Sequence, residues 1–289
     1  MTAIKEYNIK IKSLNNTQKI TKTMKMVAAS KLRKAHEAQA KAKLYARDLT
    51  SLISRISASV HPSAHPLLMA RENVKNVLIL VFTSDKGLCG AFNNSANKQV
   101  ASWIKENRGQ YHKISLSFCG KRGYLFFHKK EHVRKHYENV IGDPHFADAS
   151  AIGQEVSASF LNGEFDEVYL TYNQFFSPLY QKTVFEKILP IDPSGLNEEK
   201  IEKSTEYIFE PAATELLSFL IPHFLYFKIY FSLLENSAGE HGARMTAMDS
   251  ATKNATELIN DYTLLRNRAR QSAITTELIE IVAGAEALK

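Results

Sequence analysis

A heptad-like seam through the last third of the chain is the feature that most restricts what this sequence can fold into. Residues that can share one helix face recur there in alternating steps of four and three. A 3.5-residue repeat sustained over this length predicts a long helix that winds around another helix. The seam starts with large aromatic side chains and ends with small and polar ones, so only its first half predicts a dry interface. It consists of Leu220, Phe224, Phe227, Phe231, Leu234, Ala238, His241, Met245, Met248, Thr252, Ala255, Ile259, Tyr262, Arg266, Ala269, Ala273, Thr276, Glu280 and Ala283.

The first sixty residues predict a second long helix. No Gly or Pro occurs before Pro62, and Ala, Lys, Leu, Gln and Met dominate the segment. Two short seams run along it in the same three-four steps. Two narrow stripes at opposite ends of one chain can bury each other, so we expect an antiparallel intramolecular coiled coil. The two seams are Ile4, Tyr7, Ile11 and Leu14, and then Ala35, Ala38, Ala42, Tyr45, Leu49, Leu52 and Ile56.

The middle of the chain has the pattern of an α/β domain. Residues 77–82 (VLILVF) are a continuous apolar run, which is typical of a strand buried on both faces. Predicted strands and helices then alternate, which favours a mostly parallel sheet with helices on its faces. The predicted strands are 77–82, 114–118, 167–172 and 184–189, and the predicted helices are 93–106, 120–128 and 149–160. We therefore predict a coiled-coil helix at 1–60, a Rossmann-like α/β domain at 70–195 and a second coiled-coil helix at 205–289.

Positive charge is concentrated in the first helix. The chain carries a formal net charge of +7, and twelve lysines and arginines lie between Lys5 and Arg47, opposed only by Glu6 and Glu37. Such a face is consistent with three interpretations: a solvated surface, a basic coil that binds nucleic acid, or a basic shaft inside an acidic protein collar. No run of eighteen apolar residues and no signal-peptide pattern is present, so we expect neither a membrane span nor a leader.

The glycine-rich loop at residues 83–93 is the one stretch that suggests nucleotide binding. It follows a predicted strand and precedes a predicted helix, where phosphates bind in nucleotide-binding folds. Its spacing matches neither the Walker A pattern nor the dinucleotide fingerprint, so a tight turn is the simpler interpretation. His61 and His65 suggest a metal site, but the neighbouring prolines explain that segment as a linker. The sequence predicts no catalytic constellation, no metal site and no cofactor.

Four strings in the chain carry a specific family resemblance. Residues 16–33 (NTQKITKTMKMVAASKLR), 83–90 (TSDKGLCG), 240–248 (EHGARMTAM) and 267–278 (NRARQSAITTEL) are similar to the signatures of the gamma subunit of F-type ATP synthases, in that family's order. The resemblance extends over the whole chain. It implies a non-catalytic central stalk whose paired helices insert into a hexamer of alpha and beta subunits, with the α/β domain beside the epsilon subunit and the membrane c-subunit ring. One copy per complex would transmit torque between a proton-driven ring and the catalytic sites.

The resemblance also implies roles for individual residues. Met24 and Lys25 match the position where the first helix meets the lever of the beta subunit. Arg244, Gln271, Thr275 and Glu277 match polar positions where the last helix is held by the collar of the hexamer, and Tyr207 and Glu210 match the foot that faces the ring. The absence of a transit peptide and of the chloroplast cysteine insert favours a bacterial protein at the cytoplasmic face of the inner membrane. Gly239, Gly242 and Arg266 depart from the residues that are common in the family.

Overall fold

The computed structural model describes residues 2–57, 65–192 and 213–287. Within these ranges two long helices stand at the two ends of the chain, and strands alternate with shorter helices between them. A short 3-10 helix, Pro66–Leu68, precedes the first strand. The elements are α1 (Thr2–Ser57), β1 (Asn76–Phe82), α2 (Phe92–Asn107), β2 (Lys113–Cys119), α3 (Lys121–Phe127), β3 (Val133–Tyr137), α4 (Phe146–Leu161), β4 (Glu167–Ser177), β5 (Tyr180–Leu189) and α5 (Ala213–Ala287).

The five strands form one mixed, mostly parallel sheet in the order β3-β2-β1-β4-β5. β1 pairs in parallel with β2 and β4, β2 pairs in parallel with β3, and β4 and β5 form an antiparallel hairpin. The predicted fold class, an α/β domain inserted between two long helices, is confirmed. β3 was not predicted, because this short edge strand has the sequence Val-Arg-Lys-His-Tyr and lacks the apolar run that marks the inner strands.

Both faces of the sheet are covered, as the apolar run of β1 predicted. Leu78, Leu80 and Phe82 belong to one buried cluster, to which α1, α4 and α5 contribute. The alternate residues of the same strand, Val77 among them, belong to a second cluster with residues of α2 and α3. Because successive strand side chains point to opposite faces, one six-residue apolar run supplies two cores.

The chain divides into two compact units by its internal contacts. One unit comprises residues 1–28 and 245–289, of which the described part is helical throughout, and the other comprises residues 29–244. Each unit therefore contains a part of α1 and a part of α5. This division falls within the two long helices, and the boundaries at 1–60, 70–195 and 205–289 stay a prediction.

The helices pair in antiparallel fashion within each unit. In the unit of 29–244, Gln39 hydrogen-bonds to Glu235, and the ring of Tyr45 lies 4.6 Å from that of Phe227. In the helical unit, four cross-helix contacts have partner numbers that fall along α5 as they rise along α1, as antiparallel pairing requires. These contacts join Tyr7 to Tyr262, Gln18 to Thr256, Thr21 to Thr252 and Lys25 to Asp249.

The predicted seam of α5 matches the observed burial over most of its length. Its described members from Leu220 to Ala273 are buried or half-buried, and from Thr276 onward they are exposed. The α1 seam needs a correction. Tyr45 and Leu52 are 48% and 44% exposed, whereas Ala46 is half-buried and Ile53 is fully buried. A straight helix has 3.6 rather than 3.5 residues per turn, so the buried stripe drifts by one position where α1 packs on a broad core.

α5 also has the length and apolar composition of a membrane-crossing helix over Glu215–Ala285, a property that core helices of other proteins share. The apolar residues in the first part of α5 pack within their own unit. Leu217, Ile221 and Leu225 recur every four residues and are completely or almost completely buried in the cluster against the sheet. The core of the α/β unit therefore accounts for the apolar character of this part of α5.

Candidate functional site: the paired helices

The helical unit is joined by polar contacts that solvent partly reaches. Lys25 Nζ lies 2.5 Å from Asp249 Oδ1, and the two side chains are 43% and 32% exposed. Lys253 Nζ approaches the other carboxylate oxygen of Asp249 at 3.1 Å. The hydrogen bond from Lys25, supported by that from Lys253, lowers the pKa of Asp249. Exposed ion pairs of this kind contribute little to stability and are screened by salt.

Neutral contacts continue the pairing along the same unit. The Oγ1 atoms of Thr252 and Thr21 lie 2.7 Å apart, and Gln18 Nε2 donates to Thr256 Oγ1 at 2.7 Å. Further along, Lys10 Nζ lies 5.3 Å from the ring centroid of Tyr262. Each contact is a single hydrogen bond or a cation–π pair, so the unit is joined by many small contributions.

From Ile274 onward, α5 exposes every side chain whose burial is described. Gln271, Thr275 and Glu277 are all exposed, and Thr275 Oγ1 donates back to the carbonyl of Gln271 at 2.9 Å. The apolar residues of these turns are open as well: Ile274, Leu278, Ile279, Ile281 and Val282 are each at least half exposed. An exposed apolar surface rimmed by polar groups is typical of an interaction site.

In the unit of 29–244, α5 is buried over a polar stretch that we call the buried segment, residues 232–242, which ends two residues before Arg244. Arg244 and Glu240 form an ion pair with Nη1–Oε1 at 2.7 Å, and their side chains are only 11% and 8% exposed. The second terminal nitrogen of the guanidinium, Nη2, donates to the carbonyls of Lys86 and Gly87 at 3.1 and 3.2 Å. Burial raises the pKa of Glu240, and the charge of Arg244 opposes that shift.

Two further side chains of the buried segment reach three different elements. Glu235 accepts hydrogen bonds from Gln39 Nε2 of α1 and from the backbone N–H of Phe175 in β4, both at 2.7 Å. Asn236 donates to the carbonyl of Thr83 and accepts from the backbone N–H of Asn173, both at 3.3 Å. The segment is therefore hydrogen-bonded to α1, to the loop after β1 and to the β4–β5 hairpin.

The two glycines of the buried segment lie at close approaches. A Cβ atom on Gly239 would lie 3.0 Å from Phe92 Cε2 and 3.3 Å from the carbonyl oxygen of Asn173. A Cβ atom on Gly242 would lie 3.1 Å from both Phe175 Cε2 and Pro178 Cα. Glycine at these positions lets the hairpin pack directly on the backbone of α5, which explains two departures from the family pattern.

The loop at 83–90 has the contacts of a structural turn. Its carbonyls at Thr83, Lys86 and Gly87 accept from α5, and the N–H of Ser84 donates to Asn93 Oδ1 at 2.8 Å. A phosphate cradle needs backbone N–H groups directed at the ligand, whereas this loop directs carbonyls at a guanidinium. These contacts favour the tight turn over nucleotide binding.

His65 has a structural role as well. Its Nδ1 accepts from Leu67 N at 3.1 Å and caps the short 3-10 helix. His61, the other histidine of the suggested metal pair, lies outside the described residues.

The structure brings together only some of the residues that the family resemblance pointed to. Met24 and Lys25 are both half-buried, and both lie in the helical unit. Gln271, Thr275 and Glu277 lie on the exposed end of α5. Arg244 differs from them, since its side chain is buried in the other unit; its predicted collar contact stays a prediction. Tyr207 and Glu210 lie outside the described residues.

Sequence reasoning missed Glu235, Asn236 and Glu240 as a set. A signal for them exists: between Leu234 and Met245 the seam holds only Ala238 and His241, and the residues between these are mostly polar or glycine. Along this stretch the seam has no large side chains, and the residues on either side of it are polar. Such a pattern in a buried helix indicates close packing against elements other than a single partner helix.

Comparison with known proteins first defines the class. A family model described as ATP synthase matches residues 3–288, almost the whole chain, so the chain belongs to the ATP synthase family. Relatives that match over their full length are the ATP synthase gamma chains of Geobacter metallireducens, 44% identical, and of Geobacter sp. (strain M21), 42% identical. Each alignment spans 289 residues, 100% of this chain and 100% of the relative.

A solved structure supports the fold. A chain of the Euglena gracilis mitochondrial ATP synthase, from a structure of OSCP, F1 and c-ring in rotational state 3, is similar with a TM-score of 0.67. The alignment covers 99% of this chain and 94% of that chain at 18% identity, so it bears on the fold alone. Family membership makes this chain a gamma-type subunit of the central stalk, which is a structural rotor subunit rather than the catalytic one. The nucleic-acid hypothesis for the basic α1 receives no support from these relatives.

Proposed function

We propose that this chain transmits torque in a proton-translocating F-type ATP synthase, between the membrane c-subunit ring and the catalytic hexamer. In synthesis, rotation of the ring turns the chain, and its asymmetry drives the catalytic sites of the hexamer through different conformations. In hydrolysis the same coupling runs in reverse and supports ion pumping. The observation that carries this proposal is the full-length match to gamma chains, together with an antiparallel helix pair whose last described turns expose polar and apolar side chains alike.

The partners that we propose follow from this role. They are the alpha and beta subunits around the paired helices, and the epsilon subunit and the c-subunit ring beside the α/β domain, with one copy of the chain per complex. The concentration of lysines and arginines on α1 favours partners with acidic surfaces. The proposed location is the cytoplasmic face of a bacterial inner membrane, where the chain is held by the complex as a peripheral subunit.

The proposed contact surfaces are those of the family resemblance, in which the collar contact of Arg244, whose side chain is buried, stays a prediction. We propose that Met24 and Lys25 contact the beta-subunit lever, that Gln271, Thr275 and Glu277 contact the collar, and that Tyr207 and Glu210 form the foot. Exposure of the three collar residues supports this, since a side chain that is free in the chain can bind a partner without first breaking internal contacts. A bearing also requires weak and interchangeable contacts, because strong buried pairs would hold one orientation.

Reconstitution tests the function. The chain is co-expressed with the alpha and beta subunits from the same source, native mass spectrometry gives the stoichiometry, and ATP hydrolysis is measured with and without the chain. We expect one chain per alpha–beta hexamer, with hydrolysis that depends on it and none from the chain alone. No complex, combined with ATP turnover or salt-sensitive DNA binding by the isolated chain, would overturn the proposal.

The collar residues are tested in the same complex. A triple variant, Gln271→Ala with Thr275→Ala and Glu277→Ala, is compared with Ser272→Ala, an exposed residue of the same turns. We expect the triple variant to lose hydrolysis activity in the complex while the thermal midpoint of the isolated chain is unchanged, and the control to alter neither. Full activity of the triple variant would remove these residues from the bearing.

A further inference from the structure

The buried segment of α5 and the neighbouring Arg244 form polar contacts on several sides, and all of these contacts lie within the unit of 29–244. Three polar residues of α5 hydrogen-bond to α1, to the loop after β1 or to the hairpin, and a fourth, Glu240, pairs with one of them, Arg244. The four are Glu235, Asn236, Glu240 and Arg244, and we call them, with their partners, the polar clamp. The family resemblance assigned no role to the first three, and a collar contact to the fourth.

We propose that the polar clamp fixes the rotational and axial position of α5 in the α/β domain, and that Glu240 and Arg244 are its central positioning residues. The inference rests on the proposed function, because a subunit that transmits torque from a domain to a helix needs the helix to turn with that domain. Loosening the clamp then lets catalysis continue while part of the rotation is lost between domain and helix.

The geometry of hydrogen bonds is the reason that polar residues suit this task. An apolar stripe can slide or roll against a core at low cost, because hydrophobic contact is non-directional. Rotating α5 by one residue turns each side chain by about 100°, and hydrogen bonds weaken steeply once their angle is lost. A guanidinium that bridges Glu240 and two loop carbonyls therefore has one productive orientation, which a lysine cannot reproduce.

The surroundings of the clamp reinforce this restriction. Glu235 has both carboxylate oxygens occupied, and Asn236 both donates and accepts, so these buried polar groups are paired. Satisfied buried networks rigidify the region around them. The close approaches at Gly239 and Gly242 leave the hairpin against the helix backbone, so α5 has little room to turn there.

A merely stabilising role predicts a different result, and the variants are chosen to separate the two. Glu240→Gln removes the ion pair, and Arg244→Lys keeps the charge but loses the bridge to the loop. A reversed pair, Glu240→Arg with Arg244→Glu, keeps an i,i+4 ion pair on the helix but offers no guanidinium at position 244. The control is Ile229→Val, a fully buried apolar residue of α5 outside the clamp, which lowers stability without touching a polar contact.

The experiment uses the assembled ATP synthase in inverted membrane vesicles. ATP hydrolysis and ATP-driven ion translocation are measured on the same preparations, and their ratio is compared at matched amounts of assembled complex. We expect the ratio of translocation to hydrolysis to fall about 2- to 30-fold in Glu240→Gln and Arg244→Lys. We expect the reversed pair to keep a lowered ratio, and Ile229→Val to keep the wild-type ratio.

Hydrogen exchange on the isolated full-length chain gives a second readout. In Arg244→Lys the guanidinium bridge is lost, so we expect amide exchange in residues 83–91 to become about tenfold faster or more. In Ile229→Val we expect the exchange rates of this loop to change no more than the variant's loss of global stability explains. A wild-type ratio in both clamp variants, rescue by the reversed pair, or an equal fall in Ile229→Val overturns the proposal. A wild-type chain that fails to assemble overturns the proposed function instead, and the exchange data then still decide whether the clamp holds the loop to α5.

Discussion

The two parts of α5 each pair with α1 within their own unit, yet their contacts differ in kind. In residues 232–244 the polar side chains are buried, and those of Glu235, Asn236 and Arg244 are hydrogen-bonded to several elements. In residues 245–285 the polar side chains are partly or fully exposed and contact one helix at most. The buried contacts hold the helix in one position, whereas the exposed contacts each add a small amount to the free energy of pairing. A heptad-like repeat along a helix therefore does not imply uniform mechanics, because burial decides what each polar contact contributes.

The largest difference in stability between the two parts of α5 is expected when a glycine of each part is replaced by leucine. Gly239→Leu forces a branched side chain against Phe92 and the Asn173 carbonyl, so we expect a loss of about 3 kcal/mol in the free energy of unfolding, seen as a lower thermal midpoint. The matched control is Gly284→Leu, since no described atom lies within 4 Å of a Cβ placed there. The control changes stability little or raises it, because Leu is the better helix former. Equal effects of the two substitutions would contradict the comparison.

The pH dependence of stability tests the burial of His241 in the buried segment. Burial, with the charges of Arg244 and Lys31, lowers the pKa of His241 from 6.5 to about 4, and its Nδ1 has no hydrogen-bond partner among the described residues. Between these two pH values the unfolded chain binds the proton and the folded chain does not, so stability falls as pH falls from about 6.5 to about 4. Wild type should therefore lose about 2–3 kcal/mol relative to His241→Gln over this range.

Denaturant titrations of both proteins at each pH check this expectation. Glu240, which precedes His241 in the sequence, acts in the opposite direction, since its raised pKa favours proton uptake by the folded chain. Because Glu240 is present in both proteins, the difference between them isolates His241. Parallel pH profiles would show that His241 does not titrate as its burial implies.

A buried and an exposed acid of α5 differ in what their truncation costs. Glu235→Ala leaves Gln39 Nε2 and the Phe175 N–H without their acceptor, so we expect a loss of about 2 kcal/mol. Glu257→Ala, on the exposed face of the helical unit, should stay within about 0.5 kcal/mol of wild type. Urea unfolding midpoints measure both, and a comparable loss in Glu257→Ala would argue against the distinction.

The smallest effect is expected at the exposed ion pair of the helical unit. Lys25→Gln removes the contact to Asp249, but both side chains are accessible to solvent and Lys253 still approaches the carboxylate. The thermal midpoint should change less than in any variant above, and the difference should vanish at high salt. Melting curves at low and high ionic strength test this, and a large salt-independent loss would place Lys25 with the buried contacts.

Local patterns in the sequence were sufficient for the large elements. The 3.5-residue seam predicted α5 and most of its buried face, the run at 77–82 predicted β1 with two covered faces, and four strings identified the family. They succeed because periodicity and motif spacing are properties of neighbouring residues. β3 was missed because its charged residues suit an edge strand, which only pairing with β2 reveals.

Sequence patterns were therefore enough to predict the two long helices, the inserted α/β domain and the family. The roles of the buried segment and of Arg244 depend on tertiary contacts, since Arg244 hydrogen-bonds to a loop 158 positions earlier and Gly239 lies against Phe92 and Asn173. The physical reason is that a polar or small residue on a helix has the same local pattern whether solvent or a distant backbone lies opposite. Burial and long-range partners, which fold-level packing creates, turn the same residue types into either a solvated surface or a clamp.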